Sequence, residues 1–182
     1  LAMPILIGRP AVIEQRIQKA GLRMRLGADV QCVNPEDDPR FRTYWESYHR
    51  LMARNGVSVE AAKAAVRRSS TIIAALMVHL GDADAMLCGA LGRFDQHLEH
   101  IHDIIGVEPG APGYATVNAL LLQDRSLFVA DTYVNEDPSA ELLAAIAMMA
   151  ADEVHNFGLP PKVAFVSHSN FGSSKRPSAL KM

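Results

Sequence analysis

The chain has 182 residues, of which 49% are hydrophobic and 21% charged, and its formal net charge is −2. That length and apolar content suffice for one ordinary domain with a real core, or for a large part of a two-domain protein. The near-neutral balance, with Lys and Arg scattered, gives no electrostatic case for nucleic acid or an anionic membrane, and no apolar run approaches the ~20 residues that span a bilayer.

From the start, Pro4-Ile5-Leu6-Ile7-Gly8 predicts a short buried strand, and Pro10 opens a helix to about Ala20 with Val12, Ile13 and Ile17 on its apolar side. Residues 28–33 predict a second strand, ended by Asn34-Pro35. Asp37 or Asp38 is expected to cap a helix with Pro39 at its first position. Its stripe of Phe41, Tyr44, Trp45, Tyr48 and Leu51 reads as core packing rather than a platform for bases. Gly56 ends this helix, Ser58 begins an alanine-rich one, and Ser69-Ser70 restart it until Gly81 terminates it. Residues 85–88 resemble a buried strand. Gly89 and Gly92 lead into a helix ending near Ile105, and residues 106–113, with Pro109 and Pro112, form a loop.

Residues 117–122 and 127–130 predict a hairpin across Gln123-Asp124-Arg125-Ser126. Asp137 is expected to cap the next helix, with Pro138 first, Glu141 in the first turn and Gly158 past the end. Pro160-Pro161 then lead to a strand at 163–166. Strands alternating with helices give an α/β fold whose sheet is largely parallel and flanked by helices, the hairpin adding an antiparallel piece. The chain opens on a strand pattern and stops where Pro177 starts a helix. A parallel sheet needs its crossover helix packed back on it, so truncation at both ends is the expectation. Cys32 and Cys88 sit in apolar runs without a CxxC partner and read as buried, reduced thiols of a cytoplasmic protein. Leu1-Ala2-Met3-Pro4 carries no basic region ahead of its apolar run and does not read as a secretory signal.

Chemistry concentrates at Ser167-His168-Ser169-Asn170-Phe171-Gly172-Ser173-Ser174. Small hydroxyl residues and glycine after a strand bring short donors and backbone N–H groups to one point, which suits a phosphate; the alternative is a polar loop that merely closes the strand. The histidines of Gln96-His97-Leu98-Glu99-His100-Ile101-His102-Asp103 lack HExxH spacing and read as a solvated or interface helix, so no metal site is assigned. Gly81-Asp82-Ala83-Asp84 and the Arg67-Arg68 pair read as solvated surface. No GxSxG, GxGxxG or GxxxxGK[ST] run is present, and no catalytic residue is assigned.

Four ordered segments carry a resemblance: Pro4 to Gly8; Gly81-Asp82-Ala83-Asp84-Ala85-Met86 through Cys88-Gly89-Ala90; Ala130-Asp131-Thr132-Tyr133-Val134-Asn135 through Pro138; and Ser167 to Ser174. Over nearly the whole chain they resemble the phosphate acetyltransferase/butyryltransferase family. The resemblance implies an isocitrate-dehydrogenase-like two-domain fold with a cleft between approximate subdomains 1–90 and 91–182, and a dimer. More narrowly, Asp131 to Asn135 and Ser167 to Ser174 look like the C-terminal domain of bacterial hybrid malic enzymes, which resemble an NADP-dependent malic enzyme fused to a phosphotransacetylase-like domain. That likeness implies acetyl-CoA, or a related CoA thioester, as a regulatory ligand. It also implies a malic-enzyme domain of the same polypeptide holding NADP and a divalent metal, and a homo-oligomer without nucleic acid or membrane partners.

Departures from the active transferases shape the expectation. Their run Ser-Gly-Ala-Val-His-Thr-Thr-Ala-Asp-Val-Val-Arg-Pro is similar to Cys88 through His100 here, but the threonine pair becomes Arg93-Phe94 and the arginine becomes Glu99. A carboxylate in place of a guanidinium turns attraction for a phosphoryl group into repulsion. The lysine of their Ser-Tyr-Ser-Thr-Lys-Gly-Ser loop is Phe171. The leading expectation is therefore an acetyl-CoA-binding regulatory module without acetyltransferase activity, in a parent that oxidatively decarboxylates malate to pyruvate. Ser167, Ser169, Asn170, Gly172 and Ser173 are the expected ligand contacts, with Gly89 and Arg93 facing them. The alternatives are an active phosphate acetyltransferase using acetyl phosphate and CoA, and an oligomerisation scaffold whose helices at 58–80 and 137–157 pack between subunits.

Overall fold

The computed structural model describes residues 2–182. They form two compact units, the first ending at Gly106 and the second running over Val107–Met182. The division falls after Gly106 because Ile104, near the end of a helix that follows Arg93, is buried in the core of the first unit.

In the first unit, β1 (Ile5–Ile7) pairs in parallel with β2 (Gln31–Val33) in the register Ile5↔Gln31, Leu6↔Cys32, Ile7↔Val33. Helix α1 (Pro10–Lys19) crosses between them with proline in its first turn, as its sequence dictates. Strand β2 is shorter than the expected 28–33 because residues 25–30 close into a turn. There the Asp29 carboxylate accepts the Arg25 N–H at 2.8 Å and the Gly27 N–H donates to the Val30 carbonyl at 2.8 Å.

Helix α2 (Phe41–Met52) starts two residues later than expected, capped by Arg40 rather than by an aspartate. The Asp38 carboxylate is engaged instead by the Arg40 N–H (2.9 Å) and guanidinium (3.0 Å), which holds Pro39 outside the helix. Tyr44 and Tyr48 are buried, and Phe41 and Trp45 pack at the edge of the core. Leu51 is exposed and Met52 takes the inward place. The basic side of helix α3 (Val59–Arg68) lies on this stripe, Lys63 over Trp45 and Arg67 over Phe41 at 5.0 and 4.7 Å. Arg67 is therefore an aromatic contact as well as a surface charge.

Ser58 and Ser69 cap α3 and α4 (Ser70–Leu80), each hydroxyl oxygen accepting a backbone N–H three residues on. Gly81 ends α4 at φ 79°, a left-handed conformation that glycine adopts without steric cost. Thr71, Ile72, Ile73, Ala75, Leu76 and Met77 are buried all round α4, the pattern of a central helix. Residues 85–88 form no strand; Leu87 and Cys88 are exposed, and only Met86 packs on the core. Among the described residues they have no neighbouring strand to supply a ladder. Cys88 is thus an exposed thiol rather than a buried one, while Cys32 is half-buried and donates to the Gly8 carbonyl at 3.4 Å. Both are free. Helix α5 (Phe94–Ile104) completes the unit.

In the second unit, β3 (Val117–Leu121) and β4 (Ser126–Ala130) form the expected hairpin, antiparallel from Val117↔Ala130 to Leu121↔Ser126. Helix α6 (Ala140–Asn156) is capped by Ser139, whose hydroxyl oxygen accepts the Leu142 N–H at 3.2 Å. Asp137, the expected cap, lies too far back and pairs with Lys181. Residues 163–166 are exposed and form no strand, having no ladder partner among the described residues. They instead border an apolar cavity of about 720 Å³, lined also by β4 and α6. Helix α7 (Pro177–Leu180) follows. The fold is α/β, with one parallel and one antiparallel strand pair and helices around them. Among the described residues no helix is long and apolar enough to cross a membrane.

Candidate functional site

The serine-rich segment of the second unit folds into a compact loop built on its own hydroxyls. Ser167 Oγ accepts the Ser169 N–H at 3.1 Å, and Ser169 Oγ accepts the Ser174 N–H at 2.9 Å. Asn170–Gly172 make one turn of 3-10 helix, closed by the Ser173 N–H on the Asn170 carbonyl at 3.0 Å. Within it Phe171 adopts a left-handed backbone (φ 50°, ψ 41°) with its ring fully in solvent, a conformation that costs a non-glycine residue energy. Gly172 follows at φ 74°. Ser167 and Ser169 close the loop on itself, one of the two roles the sequence left open for this segment. They still keep donor capacity, because a hydroxyl whose oxygen accepts one bond has its own proton to give. Ser167, Ser169, Asn170, Gly172 and Ser173 are thereby gathered in one turn with small or exposed side chains.

Gly89 and Arg93 lie in the first unit, on the irregular segment between α4 and α5. Gly89 has φ 103° with nothing near the position of a Cβ, so the backbone there is open to close approach. Arg93 is exposed, and its guanidinium forks onto Asp95, with Nε donating to Oδ1 at 3.0 Å and a second N–H bonded to Oδ2. That bonding holds the Asp95 carboxyl below its ordinary range. An incoming anion meets an arginine already engaged by a carboxylate two residues away. Glu99 stands exposed on α5.

The histidine segment is structural where its contacts are defined. His97 bonds through Nδ1 to Thr71 Oγ1 at 2.8 Å and through Nε2 to the Leu91 carbonyl at 2.7 Å. Among the described residues no group of three or more His, Cys, Asp or Glu side chains is placed to hold a metal. Asp82 is no free surface carboxylate: it accepts the Tyr44 hydroxyl at 3.0 Å, and the Arg40 guanidinium lies 3.9 Å away.

Sequence reasoning missed a polar knot at the end of β4. Asp131 accepts the Thr116 hydroxyl (2.6 Å) and N–H (3.1 Å), the Val134 N–H (3.3 Å), and the backbone (2.8 Å) and side-chain amide (2.6 Å) of Asn135. Thr132 adds a bond to Asn118 at 2.6 Å, and the Asn135 amide reaches the Tyr114 carbonyl at 2.8 Å. Burial pushes the Asp131 carboxyl up, but the bonds from Thr116 and Asn135 outweigh it and bring it down to about 2. The available signal was an aspartate just after a strand with a threonine and an asparagine within four residues.

Comparison with known proteins places the chain in a family. The chain is 52% identical over its full 182 residues to an NADP-dependent malic enzyme of Salmonella typhimurium, of which it covers 24%. It is 35% identical over 178 residues to a phosphate acetyltransferase of Nitratidesulfovibrio vulgaris, matching 98% of this chain and 25% of that one. Its fold matches the EutD phosphotransacetylase of Staphylococcus aureus with a TM-score of 0.81 at 22% identity, across 98% of this chain and 54% of the other. The chain therefore spans about a quarter of the length of these two sequence relatives. The family model described as phosphate acetyl/butaryl transferase matches residues 1–182, and the chain belongs to that family.

Proposed function

We propose that the chain is an acetyl-CoA-binding regulatory part of an NADP-dependent malic enzyme and does not itself transfer acetyl groups. The observation that carries this reading is the 52% identity to such an enzyme over the entire chain, against 35% to a phosphate acetyltransferase. In this reading Ser167, Ser169, Asn170, Gly172 and Ser173, with Gly89 and Arg93, contact the thioester ligand through hydroxyl protons, backbone N–H groups and one guanidinium. One feature supports a loss of phosphoryl handling: the exposed Phe171 stands where the family resemblance puts a lysine. Binding then biases a homo-oligomer between two states of different affinity and lowers the oxidative decarboxylation of malate to pyruvate. NADP and a divalent metal belong, on this reading, to the malic-enzyme domain of a cytoplasmic parent polypeptide.

The test is malate-dependent NADPH formation by the full-length parent, measured with and without acetyl-CoA. Inhibition that is lost in a Ser169→Ala, Ser173→Ala double variant supports the reading; a rate indifferent to saturating acetyl-CoA refutes it. A second reading, an active phosphate acetyltransferase, is favoured by the family match over the whole chain. Thioester formation from acetyl phosphate and CoA, followed by absorbance, would select it.

A further inference from the structure

The segment from Ala83 to Arg93 carries no regular secondary structure, and the His97 side chain links its far end to the core. His97, in the first turn of α5, bonds to the Leu91 carbonyl on one side and to Thr71 on the other. Thr71 lies in the first turn of α4 and is 5% exposed, so it is a fixed point. A carbonyl oxygen can only accept, so His97 Nε2 carries the ring proton. Nδ1 is then free to accept the Thr71 hydroxyl proton. The result is a relay of two bonds, Thr71 O–H to Nδ1 and Nε2–H to the Leu91 carbonyl. Gly92 leaves room for it: a Cβ there would stand 3.0 Å from His97 Nε2, and its φ of +98° disfavours any side chain.

We propose that His97 is a positioning residue that fixes the Leu91–Gly92 peptide against Thr71 and so sets the presentation of Gly89 and Arg93 to an anionic ligand. The effect on ligand rests on the reading that these two residues meet acetyl-CoA; the fixing of the peptide does not. One buried hydroxyl, through one imidazole, holds the Leu91 carbonyl, and the Arg93 carbonyl accepts the His97 N–H at 3.4 Å beside it. This part of the site is then preformed rather than ordered by the ligand, which lowers the entropic cost of binding.

The experiment uses nitrogen NMR of the chain, comparing wild type with Thr71→Val, Thr71→Ser and His97→Leu. The wild-type ring is expected to show the Nε2–H tautomer. The Gly92 and Arg93 amides are expected to have order parameters near ~0.85, falling toward ~0.6 in Thr71→Val and His97→Leu and returning in Thr71→Ser. Acetyl-CoA affinity should fall about 5- to 10-fold in the first two variants, the worth of about one hydrogen bond, and recover with serine. An Nδ1–H ring, or unchanged order parameters in Thr71→Val (a near-isosteric change that preserves the core), overturns the proposal. If wild type does not bind acetyl-CoA but the order parameters move as described, the ligand reading falls and the positioning role stands.

Discussion

Arg93 and Asp95 pair at the surface of the first unit. Both side chains are largely exposed, 75% and 59%, so their pairing is solvent-screened and weak in absolute terms. It still competes with any ligand carboxylate or phosphate for the same guanidinium. Asp95→Asn is therefore expected to tighten acetyl-CoA binding about two- to fivefold, read by calorimetry. Unchanged affinity would place Arg93 outside the ligand contacts. At Asp131 the charge is not screened away but hydrogen-bonded. Its folded value of about 2 lies below the ordinary 3.8, so the stability it contributes is present above about pH 4 and is lost as pH falls toward 2. The second unit should lose on the order of 2 kcal/mol over that window, and Asp131→Asn should remove the dependence. Urea midpoints at pH 6 and pH 2 check both. A pH response in Asp131→Asn equal to that of wild type would assign it to other carboxylates.

At the scale of elements, caps decide where helices begin. Ser58, Ser69 and Ser139 each accept a backbone N–H three residues on. Ser69→Ala should destabilise the first unit by about 1 kcal/mol, seen as a lower urea midpoint, because the Ile72 N–H loses its acceptor. The same elements show what the sequence could and could not tell. Serine caps at Ser58 and Ser69 and glycine stops at Gly56 and Gly81 are local features, and the helices they bound were legible. At α2 and α6 the expected aspartate caps were wrong. Asp38 found Arg40 and Asp137 found Lys181, pairings that helix-start rules do not weigh against capping. Residues 85–88 and 163–166 have strand composition but no ladder. A strand is a relation between two segments, and composition reports only one of them. The serine loop was legible as a place, since Ser167 to Ser174 is a local run. Its internal bonding was not, nor was the long-range knot joining Asp131 to Thr116, fifteen residues upstream.

Across the whole chain the burial is uneven. Nearly every buried apolar residue, from Val33 and Tyr44 through Leu76 to Ile104, lies in the first unit. In the second unit Ile146 is the one buried side chain among the described residues, and Leu120, Leu121, Val163 and Val166 are exposed. A two-stranded hairpin needs a packed apolar face to be stable, and the second unit buries few side chains that could supply one. In hydrogen exchange of this chain the amides of α4 should report the highest opening free energy, and those of β3 and β4 should exchange at least about 100-fold faster. Equal protection in both units would contradict that hierarchy. The mobile character expected of the second unit also bears on function, since an element of low local stability is the kind a ligand can order.

Calorimetric titration of the chain with acetyl-CoA, beside an identical titration with acetyl phosphate, bears most directly on whether this is a sensor or a transferase. Saturable heat with the thioester and none with acetyl phosphate is the predicted result. Heat with acetyl phosphate alone, or with neither, contradicts it.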